Sequence, residues 1–233
     1  MHAHRRHALV LALASGCPTL ASCDGAAVAA PEMCTPRIAA GDAAALRTLA
    51  SPPYFPEEWS RQGTMCGNRC EPRLSAFENA WYSTFLAAAA EPSLHAQTTS
   101  KGTGAIRQVR FTWLRSFDPP VTIRIVMERA GYRLIARELS GAGGYDPGTV
   151  ARTVDRVLTR DERNTIDGVL APELFQPEKA DCSIVLDGAQ WIFEMAQGHA
   201  YAMGQRHSPG DGRFREAGLA MIALTGWDVG RVY

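Results

Sequence analysis

The strongest pattern along this chain is a change of hydrophobic period near residue 105. Before it, apolar residues recur at helical spacing or are interrupted by Pro and Gly; after it, apolar and polar residues alternate. Val109, Phe111 and Trp113 alternate with Arg110 and Thr112, and beyond Pro119-Pro120 the apolar Val121, Ile123, Ile125 and Met127 alternate with Thr122, Arg124 and Glu128. A period of two, rich in β-branched and aromatic residues, predicts two half-buried strands. A tight turn at Ala130-Gly131 predicts a third strand that sets Glu128 across from Arg133, Met127 across from Leu134 and Val126 across from Ile135. Extended outward, this register opposes Arg124 to Arg137, so a bulge or slip is expected there. Residues 150–158 predict a fourth strand, and Thr159 with Glu162 forms a capping box that opens a helix ending near Leu170.

The last third predicts a hairpin and a helix. With Gln197-Gly198 as a two-residue turn, Met195 faces Ala200, Phe193 faces Ala202 and Trp191 faces Gly204, each large residue opposite a small one. The other face carries Gln190, Ile192, Glu194, Tyr201, Met203 and Gln205. Half polar and half apolar, it predicts an open sheet face or a contact surface for a partner, and resembles a contact surface more than a cleft. Phe214, Ala217, Met221 and Leu224 form the inner stripe of a final helix, with Asp211 as its cap and Gly226 at its end. The order β-β-β-β-α-β-β-α implies an α+β fold, a twisted antiparallel sheet of about six strands with helices packed on one face.

Residues 31–104 read as a separate, Cys-bearing part, helical or irregular. Asp42 opens a short helical stretch to Ala50, and residues 54–73 are expected to be irregular around Cys66-Gly67-Asn68-Arg69-Cys70. Ser75 and Glu78 form a capping box, and Phe77, Trp81 and Phe85 recur every four residues as an expected core stripe before Pro92 closes the helix. Residues 91–104 are polar and predict a linker to the domain at 105–233.

Residues 1–30 change the picture by giving the chain an address. A basic start (His2, His4, Arg5, Arg6, His7), an apolar stretch at residues 8–13 and then small residues make up a signal peptide. Leu20-Ala21-Ser22-Cys23 resembles the lipobox of bacterial lipoproteins, which implies lipidation of Cys23; cleavage after Ala27-Val28-Ala29 is the competing reading. Export places Cys34, Cys66, Cys70 and Cys182 in an oxidising compartment, where an even number of cysteines implies two disulfides. Cys182 is expected to tie the sheet domain to the N-terminal part. A four-Cys zinc site is the weaker alternative, because Cys66 and Cys70 are its sole close pair, and no metal is expected.

Charge excludes some functions. Lys and Arg number 24 and Asp and Glu 24, with no long run of one sign, so neither nucleic acid nor an anionic bilayer surface is indicated. Candidate chemistry is sparse. His95, His199 and His207 lack metal-ligand spacing, no Gly-x-Ser-x-Gly elbow occurs, and the Gly-rich residues 140–148 lack the signature of a phosphate loop. What remains is a carboxylate group near the second hairpin: Asp187 and Glu194, with Asp181 and Arg206 nearby and His207 as the possible third member of an acid/base site. Asp187-Gly188 reads equally as a turn, and Glu194 as an exposed strand position. No cofactor is implied.

The segments Phe111-Thr112-Trp113-Leu114-Arg115, residues 139–145, Asp187-Gly188-Ala189-Gln190-Trp191, Arg206-His207-Ser208-Pro209 and Thr225-Gly226-Trp227 resemble a group of uncharacterised exported proteins of proteobacteria. The resemblance implies a compartment and a fold but no mechanism. The expected function is therefore a non-enzymatic envelope protein that binds another envelope protein or a cell-wall component and meets the membrane through a lipid anchor only. The alternative is a periplasmic hydrolase using Asp187, Glu194 and His207.

Overall fold

The alternating stretches form the strands they predict. In a computed structural model that describes residues 33–36, 52–99, 106–177 and 187–233, the N-terminal part contributes β1 (Met33–Cys34), β2 (Gly63–Cys66), β3 (Arg69–Pro72), α1 (Ala76–Ala88) and α2 (Leu94–Thr99). There follow β4 (Arg107–Arg115), β5 (Val121–Glu128), β6 (Gly131–Leu139), β7 (Val150–Val157), α3 (Arg160–Val169), β8 (Ala189–Gln197), β9 (Ala200–His207) and α4 (Gly212–Ala223). β4 to β9 make a six-stranded antiparallel sheet in the order β7-β6-β5-β4-β8-β9, and β1 to β3 make a second sheet of three strands. The fold is α+β. Residues 54–73, expected to be irregular, supply two of those three strands and a 3-10 turn at Glu57–Ser60.

Both predicted hairpins form with the right faces and a register displaced by two. Arg129 and Ala130 occupy the β5–β6 turn, so Glu128 pairs with Gly131, Met127 with Tyr132 and Val126 with Arg133. Arg124 then lies opposite Ile135 and Arg137 opposite Thr122, so the like-charge opposition never arises; the irregularity falls between β6 and β7, at Glu138/Leu139. In the second hairpin Gly198, at φ 58°, takes the first turn position, where the left-handed conformation favours glycine. Phe193 therefore faces Gly204, Met195 faces Ala202 and Trp191 faces Arg206. Moving a two-residue turn by one position moves every pair by two, which leaves each side chain on its predicted face.

One face of the large sheet carries Phe111, Trp113, Ile123, Leu134, Trp191 and Phe193, packed against Ile166 of α3 and Ala217 and Met221 of α4. Gly218 of α4 lies directly on the Trp191 ring, closer than any side chain would permit. Gly204 answers a different need from the one expected: the carbonyls of Leu174 and Gln176, in and after the 3-10 turn Pro172–Phe175, press on it, and a methyl there would sit 2.7 Å from Gln176 O. Asp211 precedes α4 without capping it through its side chain.

The opposite face is also a core. Leu114, Leu139, Ile192 and Met203 pack against Tyr54, Phe55, Trp59, Leu74, Tyr82, Phe85 and Leu86 from the N-terminal part. Residues 52–99 thus roof the sheet. Pro31–Tyr233 is one compact unit that takes in both the Cys-bearing part and the sheet domain. The described part of the expected linker, residues 91–99, is anchored as well, for Glu91 and Leu94 are buried. The capping box of Ser75 and Glu78 opens α1 as predicted, but the helix is turned from its expected orientation: Phe77 is exposed, while Asn79, Tyr82, Phe85 and Leu86 face inward.

Cys34 is bridged to Cys70, and Cys66 is disulfide-bonded too, which rules out a four-Cys zinc site. Cys182, Asp181, the segment at residues 42–50 and residues 1–30, on which the expected signal peptide and the lipidation of Cys23 fall, lie outside the described residues.

Candidate functional site

The predicted contact surface on the β8–β9 hairpin is occupied by the chain itself. Glu194, Ile192 and Met203 are 0%, 1% and 2% exposed. Tyr201 stacks on Trp59 at 5.5 Å between ring centroids, and the Arg73 guanidinium lies 3.7 Å over the other part of that aromatic pair, the Trp59 ring. Arg73 Nη2 donates to the Met203 carbonyl, and Gln205 Nε2 donates to Glu78 Oε1 of α1. Gln190 pairs with Leu114 on one side and His207 on the other, half-buried between them. A partner could reach Ile192, Glu194 and Met203 only by displacing residues 52–99.

Polar strand positions on this face converge in a buried charge network. Arg110 holds Glu194 through two hydrogen bonds of 2.7 Å and donates from Nη1 to the Pro92 carbonyl at 2.7 Å. Glu91 comes down from the roof and accepts from Arg124 Nε at 2.8 Å and Arg137 Nη1 at 2.5 Å, with Arg110 3.6 Å away. The Tyr201 hydroxyl donates to Glu194 Oε1 at 2.8 Å. Burial acts to lower the proton affinity of Arg110, but Glu194 and Glu91 outweigh it and hold the guanidinium above its ordinary value. Every carboxylate oxygen of the two acids is engaged by a donor, so this network clamps roof to sheet and presents no free base.

The three candidate acid/base residues are not brought together. His207 Nε2 meets the backbone carbonyl of Asp187, not its carboxylate. Glu194 lies four positions along β8 from Gln190, the partner of His207, which is roughly 13 Å at the usual strand rise, and its carboxylate is committed to Arg110. His95 packs against Tyr201 at 5.3 Å, where burial lowers its pKa, and His199 Nδ1 contacts the Thr98 carbonyl. Among the described residues no group of three His, Cys, Asp or Glu is placed to hold a metal ion.

What the surface does present is an aromatic ledge at the end of the sheet where β4 and β6 finish. Gly143 and Gly144 lie flat on the backbone of Arg115 and Ser116; a methyl on Gly143 would sit 2.5 Å from Arg115 O, and one on Gly144 2.8 Å from Ser116 O. Phe117 and Tyr145, the next residue on each side of this contact, project together with ring centroids 6.1 Å apart. They are 62% and 72% exposed. Their backbone is nevertheless firmly tied: Gly144 N donates to Ser116 O, Gly143 N to Asp118 O, Tyr145 N to Ala142 O, and Arg115, buried beneath, donates twice to Pro119 O. Trp81 Nε1 donates to Gly143 O at 2.7 Å, and Trp81 packs at 5.8 Å on Phe77, itself 69% exposed, so the ledge continues onto α1.

No protein-family model matches this chain, and no curated protein matches it. Sequence reasoning passed over Phe117 and Tyr145 because it followed periodic segments. The signal was there: a large aromatic in the Ser116–Pro120 turn and another inside a glycine run have no strand period to explain them.

Proposed function

We propose that this chain is an exported, lipid-anchored, non-enzymatic protein of the bacterial envelope that binds a partner, a cell-wall component or another envelope protein, through the ledge of Phe117, Tyr145, Trp81 and Phe77. The observation that carries the binding reading is the pairing of exposure with rigidity. Large aromatics at the surface are costly to solubility, and a loop that fixes them by backbone hydrogen bonds has lost the freedom to fold them away. The buried commitment of Glu194 and the separation of Asp187 from it leave the hydrolase alternative without assembled groups. The address rests on the signal-like residues 1–30, the lipobox at Cys23, the bridged cysteines and the resemblance to exported proteobacterial proteins. Among the described residues no helix is long and apolar enough to cross a membrane.

Two measurements test this reading. Cys23→Ser should release the protein from the membrane fraction while leaving export intact; unchanged fractionation, or a mature N-terminus at Ala30, overturns the anchor. The purified wild-type protein, returned to native envelope and cross-linked, should recover one defined component in constant ratio. Recovery of none overturns the binding role.

A further inference from the structure

The size, rim chemistry and layout of the ledge narrow the ligand. A Phe or Tyr side chain offers roughly 200 Å², so Phe77, Phe117 and Tyr145, each exposed by about two-thirds, present roughly 400 Å². A stable protein–protein interface needs about 800 Å² from each side. The ledge is half that, and it is drawn out rather than round: Phe77 leads to Trp81, Trp81 to Gly143 through its indole N–H, and the loop carries Tyr145 against Phe117. A narrow chain that touches rings in succession fits this shape better than a globular partner does.

The rim is made of acceptors. Asp118 follows Phe117 and Asp146 follows Tyr145. Asp118 Oδ2 accepts from the Tyr233 hydroxyl at 2.6 Å and Asp146 Oδ1 accepts from Gly148 N at 2.7 Å, which holds each carboxylate one residue along the chain from its ring with a second oxygen left over. Acceptors next to aromatic faces suit a ligand that is apolar on its flat side and carries hydroxyl donors at its edge. A sugar ring has that construction: its axial C–H groups stack on an aromatic face and its equatorial hydroxyls donate outward. The two carboxylates disfavour an anionic polymer.

We infer that the ledge of Phe77, Trp81, Tyr145 and Phe117, rimmed by Asp118 and Asp146, binds the sugar rings of an uncharged glycan strand. This rests on the binding role proposed above and specifies its ligand.

The test uses three probes: insoluble chitin, purified peptidoglycan sacculi, and a soluble chitin tetrasaccharide followed by tryptophan fluorescence. The wild-type protein should sediment with both insoluble probes and its fluorescence should titrate with the third. The double variant Phe117→Ala/Tyr145→Ala should bind at least tenfold less at an unchanged melting temperature, since both rings are exposed. Three results overturn the inference: no binding of wild type to any probe, equal binding by the double variant, or binding to sacculi with none to either chitin probe. Should the wild type recover a cross-linked envelope component that the double variant loses, yet neither bind glycan, the glycan inference fails and the wider binding role survives. Recovery of nothing by either assay ends both.

Discussion

Arg110 grips Glu194 through two parallel hydrogen bonds of 2.7 Å, and neither side chain is reached by solvent. The pair sits on neighbouring strands, β4 and β8, directly opposite one another. Removing one member leaves the other charged and buried, which costs about 3–5 kcal/mol, whereas replacing both with apolar residues of similar volume is often close to neutral. Arg110→Met and Glu194→Leu should each lower the urea midpoint steeply, and the double variant should be more stable than either. A double variant as unstable as the sum of the two singles would show that the pair is not coupled.

Tyr201 and Tyr82 make stability depend on alkaline pH. Burial raises both phenols well above 10.0, aided by the negative charge of Glu194 for Tyr201 and of Glu78 for Tyr82. A folded-state pKa above the unfolded one means that the fold keeps a proton the unfolded chain gives up. The contribution is therefore complete below pH 10 and declines as pH rises beyond it. Tyrosinate absorbance of the folded protein should lag behind that of the denatured chain, and Tyr201→Phe should reduce the alkaline loss of stability. Ionisation of all six tyrosines near pH 10 without unfolding would contradict the burial of these two.

The start of α3 carries an acid-sensitive contact. Glu162 is held at about 2, below its ordinary 4.5, first by hydrogen bonds from Arg156 and then by the backbone N–H of Thr159. A depressed carboxyl stabilises the fold above pH 4.5, and that contribution is lost as pH falls from there toward 2. Glu162→Gln should flatten the stability profile across this interval while changing little below it. Thr159→Ala, which removes the hydroxyl that accepts from Glu162 N, should cost about 1 kcal/mol at neutral pH.

Two glycines should respond in opposite directions to the same methyl group. At Gly204 it collides with the carbonyls of Leu174 and Gln176, backbone atoms that cannot turn aside, and overpacking of this kind costs about 1–3 kcal/mol. Gly168 lies exposed in α3 with open space around it and no positive φ. Alanine there should stabilise by about 0.5–1 kcal/mol through helix propensity and a less disordered unfolded chain. Thermal melts of Gly204→Ala and Gly168→Ala, moving apart from the wild type, check both at once.

Local chemistry along the chain determined the strands of the large sheet, the two capping boxes and the face on which each of those strand residues falls. These depend on period, on cap geometry and on turn residues, all of which act within a few positions. Even where a turn was misplaced by one residue, the alternation kept Phe193 and Ile192 on their own sides. What neighbours do to a polar position is another matter. Arg110, Thr112, Thr122, Arg124 and Glu194 alternate as solvent-facing residues would, because a charge hydrated by water and a charge paired under a roof look alike in one dimension. Only the folding of residues 52–99 across the sheet, with Glu91 dropped between Arg124 and Arg137, decided that this face is a core and that α1 buries Tyr82 instead of Phe77. The same holds for the ledge. Phe117 and Tyr145 stand 28 positions apart, and they meet because two glycines let one loop lie against the end of β4, a close approach between distant segments that no local pattern specifies.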